Sequence, residues 1–124
     1  MTVHLDTSAL IDALTGPRRS LDALTAFAEQ GHRLAVSTIV LYEWLRGPRT
    51  VAELGAQEEL FPREAAVAFG AAEADVAAKL YTRVRRARGR EIDLAVAACA
   101  VAVGAALWTL NRDDFLDIPD VRLV

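Results

Sequence analysis

The sequence has little cysteine, histidine and lysine, and each shortage excludes a kind of chemistry. Its one cysteine, Cys99, lies inside an apolar segment, so the chain can form no internal disulfide and no metal site built on thiolates. The two histidines, His4 and His32, lie at or near strand starts and do not form a ligand pair. The single lysine, Lys79, is far from any predicted strand end, which disfavours a response regulator that needs a late active-site lysine.

Long apolar segments are also missing. The most apolar stretch, residues 94–108, is interrupted by Gly104 and is shorter than the roughly 20 residues needed to span a bilayer. The first residues, MTVHLDTS, have no basic start and reach Asp6 before any long apolar run, so they do not predict a signal peptide. We therefore expect a cytoplasmic protein with no membrane association.

The overall numbers predict one domain over residues 1–124. A chain of 124 residues with 53% hydrophobic content can bury roughly two-thirds of its unfolded surface. A net charge of -3 argues against a uniformly basic surface for nucleic acid but allows a local basic patch. Five arginines crowd the segment RVRRARGR, and we predict that Arg85 and Arg86 bind phosphate groups of a nucleic acid. The alternative is that this segment is a solvated helix end.

Hydrophobic periodicity predicts alternating strands and helices. Strands are predicted at TVHL, residues 33–36, ALWTL and VRLV, with AAVAFG as a third short strand whose alanines also fit a helix. Helices are predicted at ALIDAL, residues 20–30, TIVLYEWLR, residues 49–59, residues 71–87 and residues 94–103, with breaks at Gly16-Pro17 and Gly104. This order predicts a three-layer α/β/α sandwich with a mostly parallel central sheet.

Acidic residues occur where the carboxyl edge of that sheet is expected. Asp6 follows the first strand, Glu43 lies in the helix after the second, and Asp93 opens the apolar helix. Asp113 and Asp114 follow ALWTL. Clustered carboxylates repel one another unless a divalent cation neutralises them, and oxygen ligands favour Mg²⁺, with Mn²⁺ as a possible substitute. The alternatives are that Asp93 only caps its helix and that Glu43 reaches water.

These residue types suggest metal-dependent hydrolysis of a phosphodiester. A metal held by Asp6 and Asp93 would activate water, while Glu43 and Asp114 would orient water or hold a second ion. Residues of second rank could donate hydrogen bonds to phosphate or water, or could simply be strand-end turn residues: Thr7, Ser8, Thr109 and Asn111.

The whole chain resembles the PIN-domain ribonucleases, and most closely the toxins of VapBC-type toxin–antitoxin pairs. The resemblance rests on the order and spacing of Asp6 in LDTSALI, Glu43 after the second strand, Asp93 in IDLAVAACA and Asp114 in TLNRDDF. Asp114 is favoured as the fourth acid because it directly precedes Phe115, although Asp113 is adjacent and Asn111 occupies a position that is acidic in some relatives. The resemblance implies magnesium-dependent endonuclease cleavage of RNA, inhibition by a small antitoxin, and a homodimer.

Two other classes of function fit parts of the sequence. A haloacid dehalogenase-like phosphotransfer enzyme needs an aspartate two residues after Asp6, where this chain has Ser8. A non-catalytic module that binds metal and docks RNA or protein stays open. For the antitoxin we predict a docking region at residues 41–60, because Tyr42, Trp44 and Leu45 cannot all turn inward if Glu43 does. The alternative is that Trp44 packs under the following helix.

Overall fold

The computed structural model describes residues 1–16 and 18–124. The described residues form a three-stranded sheet and six α-helices. The strands are β1 (Thr2–Leu5), β2 (Arg33–Ala35) and β3 (Ala106–Trp108). The helices are α1 (Thr7–Leu14), α2 (Arg19–Glu29), α3 (Thr38–Arg46), α4 (Val51–Leu60), α5 (Ala71–Arg83) and α6 (Glu91–Ala102). Of the predicted break at Gly16-Pro17, Pro17 lies outside the described residues.

The sheet is parallel throughout, with β1 between β2 and β3. Leu5 of β1 pairs with Trp108 of β3, so these two strands end side by side. The next backbone amide, that of Asp6, donates to the Trp108 carbonyl oxygen at 2.9 Å. The predicted α/β sandwich is confirmed, and its geometry brings the residues that follow β1 and β3 to one edge.

Helix α6 is the central helix, as its sequence predicts. Its residues from Leu94 to Ala100 are all buried, and it packs against α5, α3 and β3. Burial on every side explains why its apolar residues show no stripe. The helix ends before Gly104, whose φ of +67° lies in the left-handed region that glycine adopts without strain.

Two predicted strands are reduced to single bridges. In AAVAFG only Val67 pairs, through a parallel bridge to Ser37, and a short 3₁₀ turn at Arg63–Ala65 precedes it. In VRLV only Leu123 pairs, with Leu107. Alanine has little preference for strands, and Val67 is the one β-branched residue of AAVAFG. This composition explains why the segment forms a single bridge and not a full strand. The prediction of full strands there is wrong.

Helix α5 is shorter than predicted, since it ends at Arg83 and not at position 87. Val84 and Ala87 are buried after the helix end, and Arg86 adopts a left-handed φ of 57°. The arginine-rich segment is therefore an irregular loop anchored by two apolar side chains. None of the helices within residues 1–16 and 18–124 has the length and hydropathy that a membrane span requires.

Candidate active site

Asp6 is held at the sheet edge by side chains that follow β1 and β3. It precedes α1 as the N-cap residue, yet its carboxylate makes no capping hydrogen bond to that helix. Instead its Oδ2 accepts hydrogen bonds from Thr109 Oγ1 at 2.7 Å and Ser8 Oγ at 3.1 Å. The backbone amides of Leu110 and Asn111 in turn donate to Ser8 Oγ and Thr109 Oγ1. One carboxylate oxygen is thus engaged by two hydroxyls, which orients the other.

Glu43 lies on α3, and the capped start of that helix fixes its position. Ser37 caps this helix by accepting a hydrogen bond from the Val40 amide, as the sequence predicts. The Glu43 side chain, only 18% exposed, accepts a hydrogen bond from Thr7 Oγ1 and forms an ion pair with Arg46 at 3.3 Å. The Thr7 contact joins Glu43 to the residue that follows Asp6 and holds its partly exposed carboxylate at the cleft, while its role in the site stays a prediction.

Asp93 lies in the first turn of α6, where Arg90 is the N-cap residue and its side chain makes no capping hydrogen bond among the described residues. The Asp93 side chain is partly buried. Partial burial, followed by the charges of Asp6, Asp114 and Glu43, raises the pKa of Asp93 to about 6. Arg90 opposes this shift. The three other predicted acids therefore all lie within electrostatic reach of Asp93.

Asp114 is carried by a 3₁₀ turn, Arg112–Asp114, just after β3. The next residue, Phe115, is 1% exposed and anchors that turn in the core. Asp113 and Asp114 are both exposed in this turn, but of the two it is the charge of Asp114 that is among the causes of the raised pKa of Asp93. Asp114 is thus the better placed of the two neighbours, although the choice between them stays a prediction.

A cleft of about 540 Å³ joins the strand ends to α1, α3 and α6. It is lined by Asp6, Thr7, Ser8, Ile11, Asp12, Gly16, Glu43, Asp93 and Asn111. Asp114 lines a separate, adjoining depression with Asn111. Thr109 is buried behind Asp6 and does not line the cleft. The hydroxyls of Ser8 and Thr109 donate hydrogen bonds to Asp6 and orient its carboxylate. The predicted contacts with phosphate, by Thr7, Ser8, Thr109 and Asn111, stay a prediction.

The donor chemistry of the cleft fits a hard cation. Its acids are carboxylates from separate segments, and partial burial together with the charges of neighbouring acids raises the pKa of Asp93. Within the part of the chain that the structure describes, no three acidic, histidine or cysteine side chains converge closely enough to form a complete metal cage. Mg²⁺ usually keeps several waters and uses one or two carboxylates, so an incomplete set of oxygen ligands fits it better than Ca²⁺ or Zn²⁺.

The arginine-rich loop divides into two groups. Arg83 pairs with Asp120 at 2.9 Å, and Arg90 pairs with Asp117 at 2.6 Å. Arg85 and Arg86 are exposed and belong to no ion pair among residues 1–16 and 18–124. Their guanidinium groups are free for an anion, which is consistent with the predicted phosphate contact but does not test it.

Asp12 is a residue of the cleft that the sequence did not point out. It is 8% exposed, and its Oδ2 accepts hydrogen bonds from the Ser20 amide at 2.8 Å and hydroxyl at 2.7 Å. The Ser20 amide bond is the main cause that holds the pKa of Asp12 below its ordinary value. Asp12 thereby caps α2 from a neighbouring helix. An aspartate within the apolar run ALIDAL was the available signal.

The fold and the cleft define a class: small α/β proteins whose parallel strands end at an acidic cleft. A family model described as PIN domain matches residues 3–121. Ribonuclease VapC19 of Mycobacterium tuberculosis is 32% identical over an alignment of 123 positions that covers 95% of each chain. The chain belongs to the PIN-domain family, and within that family it is VapC-like.

Solved structures share the same fold over nearly the whole chain. VapBC2 from Rickettsia felis, bound to a promoter DNA fragment, matches with a TM-score of 0.78 and 22% identity, covering 100% of this chain and 98% of that one. A toxin–antitoxin complex from Klebsiella pneumoniae matches with a TM-score of 0.75 and 26% identity, covering 96% and 94%. The family resemblance drawn from the four acidic motifs is confirmed.

Proposed function

We propose that this chain is a magnesium-dependent endoribonuclease and the toxin of a toxin–antitoxin pair, and that residues 1–124 form a single nuclease domain. The observation that carries the proposal is that Asp6, Glu43 and Asp93, from three separate segments, line one cleft. The charge of a fourth acid, Asp114, also raises the pKa of Asp93. The likeness to Ribonuclease VapC19 supports RNA as the substrate.

The metal ligands in this proposal are Asp6 and Asp93, with Glu43 and Asp114 as further acids of the site. When bound, Mg²⁺ lowers the pKa of a water molecule and offsets negative charge on the phosphate. Thr109 and Ser8 hold Asp6 Oδ2, which keeps its other oxygen directed without further reorganisation. Glu43, held by Thr7, is positioned to orient water for in-line attack.

The test is cleavage of a single-stranded RNA by the purified protein with and without divalent cation. We expect cleavage with Mg²⁺ or Mn²⁺, none after chelation by EDTA, and none with Asp6→Asn in either metal. Asp75→Asn, an exposed aspartate paired with Lys79 on α5, is the matched control and should cleave as wild type does. Cleavage that survives EDTA, or that survives Asp6→Asn, would contradict the proposed site.

The proposed partner is a small antitoxin, supported by the toxin–antitoxin complexes that share this fold. The predicted docking region at residues 41–60 needs one correction, because Trp44 is fully buried and the Arg49 guanidinium lies 4.2 Å from its ring centroid. Tyr42 stays 55% exposed and borders an apolar cleft of about 440 Å³ with Leu41 and Leu45. That cleft, and not Trp44, is the proposed contact.

A homodimer is also proposed, on the strength of the family resemblance. Molar mass from light scattering during gel filtration tests it. A mass of twice the 13.4 kDa of one chain supports the dimer, and a mass of one chain contradicts it.

A further inference from the structure

Arg90 connects the segment that carries Asp93 to the segment that carries Asp114. Its guanidinium donates to both carboxylate oxygens of Asp117, at 2.8 and 2.6 Å, and to the backbone carbonyl oxygen of Asp114 at 2.8 Å. Such a two-pronged pair fixes direction as well as distance. The Arg90 side chain is only 22% exposed, so these bonds compete less with water than those of a surface arginine.

The hydrogen bonds of Arg90 reach the candidate site because Arg90 starts the helix that carries Asp93. Arg90 is the N-cap residue of α6, and Asp93 follows in the first turn of that helix. The bond to the Asp114 carbonyl holds the 3₁₀ turn after β3 against this helix start. We propose that Arg90 is a positioning residue that sets the placement of Asp114 relative to Asp93 by clamping the backbone of residues 114–117. This inference rests on the proposed metal site of these acids.

A second ion pair between the same two regions of the chain makes a matched control. Arg83 donates to Asp120 at 2.9 Å, and both side chains are more than half exposed. This pair links the end of α5 to the C-terminal segment, and within residues 1–16 and 18–124 Arg83 makes no hydrogen bond to the turn that carries Asp114. Loss of Arg83 should therefore affect general stability without affecting the acids.

The sign of the change in cation affinity separates positioning from a simple charge effect. Arg90 is a positive charge near Asp93 and Asp114, so removing its charge alone would strengthen the binding of a cation. Removing the clamp would free the Asp114 turn and weaken cation binding. Partners that orient metal ligands typically change metal affinity by about 10-fold or more.

The experiment measures Mn²⁺ affinity by electron paramagnetic resonance for wild type, Arg90→Ala, Arg90→Lys, Asp117→Asn and Arg83→Ala. We expect about 10-fold weaker binding in Arg90→Ala. Arg90→Lys should also bind weakly, because lysine keeps the charge but not the planar fork. Asp117→Asn should bind more weakly than wild type, and Arg83→Ala should match wild type. RNA cleavage should show a lower kcat at limiting Mg²⁺ and an unchanged KM for RNA in Arg90→Ala.

Several outcomes would overturn the role of Arg90. Tighter Mn²⁺ binding in Arg90→Ala would show that Arg90 acts only through its charge. Wild-type Mn²⁺ affinity in Arg90→Lys would also show this, because lysine keeps the charge. Equal losses in Arg90→Ala and Arg83→Ala would reduce both pairs to general stability. If Arg90→Ala does not fold, Asp117→Asn carries the test. A wild-type protein that binds Mn²⁺ without cleaving RNA would contradict the proposed function alone, since the affinities still measure the clamp.

Discussion

His4 is a polar residue at the centre of β1 with no hydrogen-bond partner on either ring nitrogen among the described residues. It is 2% exposed, and burial holds its pKa below 6.5. The unfolded chain therefore binds a proton before the folded chain does. The contribution of His4 to stability is fully present above pH 6.5 and decreases as pH falls through the folded pKa.

This prediction is tested with His4→Leu, which removes the titrating group and keeps an apolar side chain in the strand. Urea unfolding at a series of pH values should show that the variant loses less stability than wild type between pH 7 and pH 5. The difference between the two proteins isolates His4, because other titrations cancel. A parallel decline in both proteins would show that His4 titrates in the same way in the folded and unfolded chains.

At the level of single residues, the sequence pointed to the acids that line the cleft better than to the side chains that position them. Asp6 and Glu43 could be found because each follows a predicted strand, and parallel strands end at one edge. Asp12 and Arg90 were missed because their roles depend on partners 8 and 27 residues away, Ser20 and Asp117. Such pairings are tertiary contacts, which local sequence patterns do not encode.

The loop that joins helices α5 and α6 carries the predicted RNA contact. Replacing Arg85 and Arg86 together with alanine should weaken RNA binding, measured in an Asp6→Asn background in which we expect no cleavage. The logarithm of the affinity should depend less steeply on the logarithm of salt concentration, by roughly 0.7 for each single-strand phosphate that the protein no longer binds. Arg83→Ala, whose guanidinium already pairs with Asp120, is the control. An unchanged slope in the double variant would make this loop a solvated surface.

Helices α3 and α4 carry the predicted contact with the antitoxin. Hydrogen exchange of the chain alone and bound to its proposed antitoxin should show new protection concentrated in residues 41–60. Tyr42→Ala should weaken the complex, since this side chain is 55% exposed and borders the apolar cleft. Protection confined to residues 71–87 would place the antitoxin on α5 instead.

Elements with strong end signals were predicted closely. Helix α3 begins and ends where the sequence indicates, between the Ser37 cap and Gly47. Helix α4 begins at Val51, after a capping box of Thr50 and Glu53, and not at position 49. The end of α5 was wrong because alanines and arginines continue its pattern beyond Arg83. There the burial of Val84 and Ala87 in the tertiary structure ends the helix.

For the whole molecule, the parallel sheet and the buried helix α6 form a scaffold on which acids from distant segments converge. Burial, followed by the charges of the neighbouring acids, raises the pKa of Asp93, so its charged form is disfavoured in the folded chain at neutral pH. The negative charge that would bind a cation therefore lowers the free energy of unfolding when no cation is present. Activity and stability should therefore respond in opposite directions when a charge is removed.

Asp93→Asn tests this central claim most directly. RNA cleavage should be abolished, while the melting temperature without divalent cation should be no lower than that of wild type. Because the folded pKa of Asp93 is raised from 3.8 to about 6, wild type loses stability as pH rises through this range, and the advantage of the variant should grow towards pH 7. Added Mg²⁺ should stabilise wild type more than the variant. Cleavage by Asp93→Asn at the wild-type rate, with a clearly lower melting temperature at pH 7, would contradict the account.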